Sequence, residues 1–160
     1  MISTVTGSFG DFSATVVTDG DDFNTAQIAF SANIESVNTN NEQRDAHLKA
    51  ADFFDAANHP TLEFKSSSLE KISDDEYKLN GILTLRGASK PVSLHVEYGG
   101  IVQDPWGNTR AGFELSGKIN RKDFGVSFGM VSESGGLLLG DEVKIQANVE
   151  FVKEAVAAAV

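Results

Sequence analysis

From residue 142 to 153 the chain alternates with a period of two. Val143, Ile145, Ala147, Val149 and Phe151 are apolar, and Lys144, Gln146, Asn148 and Glu150 between them are polar. Such alternation places one face of a strand against a core and the other in water. Six further segments are strand-like in the same way, at residues 4–18, 26–37, 60–72, 76–86, 91–102 and 109–120. The pattern predicts an all-β protein, an antiparallel β-barrel or open sheet to which this chain contributes about seven strands. Neighbouring strands of a meander run antiparallel, so an odd count leaves the first and last strands parallel at the seam. An even count closes without that conflict. Either the sheet stays open or something else supplies a strand.

The segments are joined by stretches with turn chemistry: Asp19-Gly20-Asp21-Asp22, Ser73-Asp74-Asp75, Gly87-Ala88-Ser89-Lys90-Pro91 and Asp104-Pro105-Trp106-Gly107-Asn108. Residues 38–59 break the period and predict one or two short helices. Asn40 or Asn41 is placed to cap them, Glu42 and Gln43 to reach back to the first turn, and Pro60 to end helical structure. This crossover is placed to plug one end of the barrel. A second irregular stretch, residues 124–141, is glycine-rich and carries Val126, Phe128, Met130, Val131, Leu137, Leu138 and Leu139. A loop this long is often functional. No linker divides the chain, so residues 1–153 read as one domain and residues 154–160 as a helical or frayed tail.

Alternation also assigns the inward face. Val5, Gly7 and Phe9 are followed out of phase by Phe12, Ala14 and Val16, which predicts a bulge near Gly10. Ala26, Ile28, Phe30, Ala32 and Ile34 come next, then Leu62 and Phe64, then Leu79, Gly81, Leu83 and Leu85. Val92, Leu94, Val96 and Tyr98 precede Ala111, Phe113, Leu115, Gly117 and Ile119. Small residues recur among large ones. They either open a cavity or make room for large neighbours, and a barrel of about eight strands permits both.

Composition narrows the chemistry. The 160 residues carry a formal charge of −10 and include 11 Phe but no Cys. The acidity argues against nucleic acid and anionic membranes as partners. The lack of cysteine removes disulfides and thiolate chemistry. No run is long enough to span a bilayer, and no basic-then-apolar leader opens the chain. His47, His59 and His95 lack the close spacing of a zinc motif, and His95, between Leu94 and Val96, should face outward. Phosphate loops and nucleophile elbows are absent. Asp52 and Asp55 read as a solvated helix end, and Arg44-Asp45 and Arg121-Lys122-Asp123 as ion pairs or loop-fixing hydrogen bonds. Enzyme, metal and cofactor readings thus find no motif.

Three separated runs carry a resemblance. They are the stretch from Asn41 to Pro60 with Leu62-Glu63-Phe64-Lys65-Ser66, the stretch from Gly81 to Gly87 with Lys90-Pro91-Val92, and Trp106-Gly107 through Asn120-Arg121-Lys122-Asp123-Phe124-Gly125. In this order they resemble the YceI-like family over nearly the whole chain. The resemblance implies a lipocalin-like barrel with a long apolar interior that binds polyisoprenoids or other lipids, isoprenoid quinones and long-chain fatty acids or amides among them. It also implies a protein often secreted or periplasmic, and in several members dimeric. Typical members open with a strand bearing a Trp and an Asp-x-x-His-Ser-like motif. This chain begins at the segment after it, which agrees with the count of seven.

The expectation is therefore a carrier or store of an elongated apolar lipid, with no catalytic residues, no metal and no cofactor beyond the lipid. The lining candidates are Phe9, Phe12, Ile28, Phe30, Ile34, Phe64, Leu83, Leu85, Val96, Phe113, Ile145 and Val149. Ser66, Ser68, Tyr98 and Arg110 are candidates for polar contacts. The interior is expected to form a tunnel opening near the crossover or near residues 126–139. The alternative is a structural or interaction barrel with a collapsed core. Exposed edge strands predict a homodimer. The compartment is left open: export follows the family habit, and the lack of a leader admits the cytoplasm.

Overall fold

The computed structural model describes residues 4–19, 22–126 and 140–153. Among the described residues, nine strands and one α-helix follow in the order β1 (Ser8–Phe9), β2 (Phe12–Asp19), β3 (Asp22–Asn33), β4 (Val37–Asn38), α1 (Glu42–Lys49), β5 (Thr61–Lys71), β6 (Glu76–Leu85), β7 (Ala88–Gln103), β8 (Thr109–Asn120) and β9 (Glu142–Val152). Seven of the strands form one antiparallel sheet in the order β2-β3-β5-β6-β7-β8-β9. The sheet curls into a half-barrel whose edges, β2 and β9, are not paired with each other. The sequence count of seven and the open sheet it allowed both hold.

The phase slip near Gly10 has a different cause from a bulge. The chain bends at Gly10 and Asp11, and β1 leaves the main sheet to pair with β4. The amide of Gly10 donates to the Ser36 carbonyl at 3.2 Å. Ile34, expected on a strand, opens a 3-10 turn (Ile34–Ser36) capped by the Asn33 side chain.

The β6–β7 connection is tighter than its sequence predicts. Residues 88–91 belong to β7, and Leu85 pairs directly with Ala88. Only Arg86 and Gly87 turn, with φ of 52° and 74°. Two positive φ values are the signature of the two-residue hairpin that matches strand twist. Glycine takes this conformation freely. Arg86 is held in it by donating to the Gly125 and Ala51 carbonyls, each at 2.6 Å.

Asn41 caps α1 as one of the two predicted asparagines, accepting from the Arg44 amide at 3.0 Å. The crossover holds this single α-helix followed by turns, and it folds over one end of the half-barrel. There Phe9 meets Phe54 at 6.2 Å between ring centroids. Ala56 joins Ile34, Leu83, Leu85, Ile119 and Phe124 in the core. Arg121, only 6% exposed, ties together Val126 and Gly140. It donates to the Val126 carbonyl at 2.7 Å and the Gly140 carbonyl at 2.9 Å, and it pairs with Asp141. The segment 127–139 and the tail 154–160 lie outside the described residues, as does any opening expected there.

Candidate functional site

Strand register decides which side chains share the concave face. Phe30 lies opposite Ala14 and Phe64, and Phe64 lies opposite Leu83. Across the sheet, Leu79, Leu94 and Val96 lead to Leu115, and Tyr98 leads to Phe113 and Val149. Gly117 and Ile145 complete this row near the crossover end. The result is one continuous apolar surface spanning seven strands. Burial falls from its centre outward. Every inward residue of β6 from Tyr77 to Leu85 is buried, whereas the inward residues of β9 are half-buried or exposed. Among the described residues the surface is therefore a trough, deepest under β6 and open toward β2 and β9, where the sequence predicts a tunnel opening near the crossover or near residues 126–139.

Of the lining candidates, Ile28, Phe30, Phe64, Leu83, Leu85, Val96, Phe113, Ile145 and Val149 share this face by register. Phe12 also lies on it, but at the edge, where it is 50% exposed and its ring sits 5.8 Å from that of Phe30. Phe9 and Ile34 belong to the capped end instead. Tyr98, Phe113 and Phe151 form an aromatic ladder over β7, β8 and β9, with centroid separations of 5.3 and 5.8 Å.

The polar candidates do not gather. Ser66 accepts from the Ile28 amide at 2.8 Å, spanning a bulge in the β5–β6 pairing. Ser68 accepts from Asn80 at 3.0 Å and Arg110 pairs with Asp104 and Glu150. The Arg110 guanidinium, 2.8 Å from Asp104 Oδ2, pulls the Asp104 carboxyl from 3.8 down to about 2. Partial desolvation opposes this, and the amides of Asn108 and Trp106 reinforce it. That cluster fastens the β7–β8 turn. Among the small inward residues, two are filled rather than open. A Cβ at Gly81 would stand 2.4 Å from the Phe64 ring, and one at Gly117 would stand 2.4 Å from Leu94 Cδ2.

The outer face holds a group that spacing along the chain reveals only in part. Glu76 and Glu97 are direct cross-strand partners, and His95 lies two residues from Glu97 on the same face. His95 is exposed, as alternation predicts. The signal was the His-x-Glu spacing in a strand. It required the β6–β7 register to bring in Glu76. Beside the group, a depression of about 470 Å³ is rimmed by Asp75, Glu97, Glu114 and Glu150. Among the described residues, no helix is long and apolar enough to cross a membrane.

Comparison with known proteins bears on this architecture. A UPF0312 protein of Staphylococcus aureus is 38% identical over 152 residues, covering 94% of this chain and 86% of that protein. One from Pectobacterium atrosepticum is 39% identical over 138 residues, covering 85% and 71%. The crystal structure of a Campylobacter jejuni YceI protein superposes with a TM-score of 0.85 at 35% identity, covering 97% of this chain and 88% of that one. Burkholderia cenocepacia BcnA, at 23% identity and a TM-score of 0.77 over 91% and 86% of the two chains, shares the fold. The profile of the YceI-like domain matches residues 1–151, and with these relatives it shows that the chain belongs to the YceI-like family.

Proposed function

We propose that this protein binds an elongated apolar lipid along the concave face of the sheet. The ligand class is an isoprenoid, an isoprenoid quinone, or a long-chain fatty acid or amide, which the protein carries or stores. One observation supports the reading above others. A continuous apolar face runs across seven strands, and toward β8 and β9 its Phe113, Leu115 and Ile145 remain only partly buried. An apolar chain laid there gains roughly 0.8 kcal/mol per buried methylene. Length then yields affinity without a dedicated polar anchor, in keeping with polar candidates that do not converge. The lining would run from Ile28 and Phe30 across Phe64, Leu83 and Val96 to Phe113, Ile145 and Val149. Residues 1–153 act as one binding domain in this reading, and its chemistry is that of a binder rather than an enzyme.

The test is uptake of a fluorescent long-chain fatty acid by the wild type and by Ala147→Phe. Ala147 lies opposite Leu115 on β9 and is half-buried. A phenyl group there fills the trough, so uptake should fall severalfold while the far-ultraviolet circular dichroism is unchanged. Unaltered uptake would remove β9 from the site. A second reading, an interaction barrel with a filled core, draws on the interlock of Phe64 with Gly81 and of Leu94 with Gly117. It expects no saturable uptake by either protein.

A further inference from the structure

We propose that Glu76, His95 and Glu97 form a binding site for a zinc-type divalent cation on the convex face of the sheet. The three ligand atoms lie within 4.8 Å of one another. His95 Nε2 stands 3.8 Å from Glu76 Oε1 and 3.7 Å from Glu97 Oε1. Two ligand atoms of one tetrahedral zinc ion, with bonds of about 2.0–2.2 Å, stand about 3.3–3.6 Å apart. Small side-chain rotations close that gap. One imidazole with two carboxylates suits zinc better than calcium or magnesium, which prefer oxygen alone.

The frame is rigid. His95 and Glu97 project from one face of β7, and Glu76 is fixed opposite Glu97 by the β6–β7 ladder. The Ser73 hydroxyl lies 3.1 Å from Asp75 Oδ1 and 3.3 Å from Glu76 Oε2, on the side of Glu76 away from the Oε1 that faces His95. The Ile72 and Ser73 amides both donate to the Glu76 carbonyl, and the Tyr98 amide donates to the Asp75 carbonyl, which pins the hairpin to β7.

The surrounding charge asks for a cation. Glu97 is flanked in register by Glu76 on one side and Glu114 on the other. Like charges directly opposite each other destabilise a sheet. This row places three carboxylates side by side. A dication between Glu76 and Glu97 turns that repulsion into attraction. Lys78 and Ser116 face His95 across the strands. The lysine repels an incoming cation, so its removal should tighten binding. The site lies on the opposite face from the apolar trough and is independent of the lipid reading.

Titration calorimetry of the metal-free protein with zinc chloride tests the site, paired with thermal melts. The expected result is one zinc ion per chain, with affinity reduced about tenfold or more in His95→Gln. Lys78→Gln should bind more tightly. His47→Gln, which alters the separate His47–Asp52 pair, should match the wild type. Glu97→Gln should melt at a higher temperature than the wild type without zinc, and should lose the zinc-dependent rise. That combination cannot arise from misfolding. Lack of saturable heat in the wild type would overturn the proposal. So would an unchanged affinity in His95→Gln, or a loss that follows His47→Gln instead.

Discussion

Position 81 takes glycine because any side chain there meets two obstacles. Its Cβ would stand 2.4 Å from the Lys65 carbonyl oxygen and 2.4 Å from the Phe64 ring. The backbone oxygen cannot yield without breaking the β5–β6 ladder. Gly81→Ala should therefore cost about 1–3 kcal/mol, read as a lower urea midpoint with the slope unchanged. Asp104 makes a different residue-scale prediction. Its carboxyl lies near 2 when folded against 3.8 ordinarily. A depressed carboxylate stabilises the fold above its ordinary value and loses that contribution as pH falls toward the folded one. Asp104→Asn should melt below the wild type at pH 6, and the difference should shrink as pH falls from about 4 toward 2. Equal differences at both pH values would show that the Arg110 pairing does not carry the effect. The sequence left Gly81 ambiguous, because a small inward residue reads the same whether it opens space or yields it. The register with Phe64 decides it.

At the scale of elements, the strands were legible because alternation is a local signal. The segments predicted at 76–86, 109–120 and 142–153 match β6, β8 and β9 to within a residue. Legibility failed where the chain changes partner. The first segment reads as one long strand with a bulge, but β1 pairs with β4 and β2 with β3, a non-local choice that no period encodes. The Arg86–Gly87 hairpin was missed for a related reason. Arginine is a poor sign of positive φ, and its conformation is imposed by carbonyls brought from Ala51 and Gly125. The outer Glu76, His95 and Glu97 group likewise exists only through register. Arg121 was read as a loop-fixing residue, and its contacts to Val126 and Gly140 bear that out. Its replacement by Met should leave buried carbonyls unpaired and cost about 1–3 kcal/mol. Faster exchange of the Val126 amide, which donates to the Arg121 carbonyl, would accompany the loss.

For the whole molecule, alternation gives the sheet its apolar face, and an odd number of strands sets its two edges parallel rather than antiparallel. Among the described residues β2 and β9 are the edges of the sheet, and such an edge is prone to add another chain. A two-fold dimer is the commonest way to satisfy such edges. Light scattering at low micromolar concentration should therefore return the mass of a dimer. A monodisperse monomer with slow amide exchange along β2 and β9 would show that the edges seal otherwise. The central claim is that an apolar lipid occupies the concave face. Native mass spectrometry of protein purified from its own source, without detergent, tests it most directly. The expected spectrum shows chains carrying a discrete added mass of a long apolar molecule, which Ala147→Phe reduces. Protein that arrives at its bare mass, and takes up none of the isoprenoids, quinones or fatty acids offered, would contradict it.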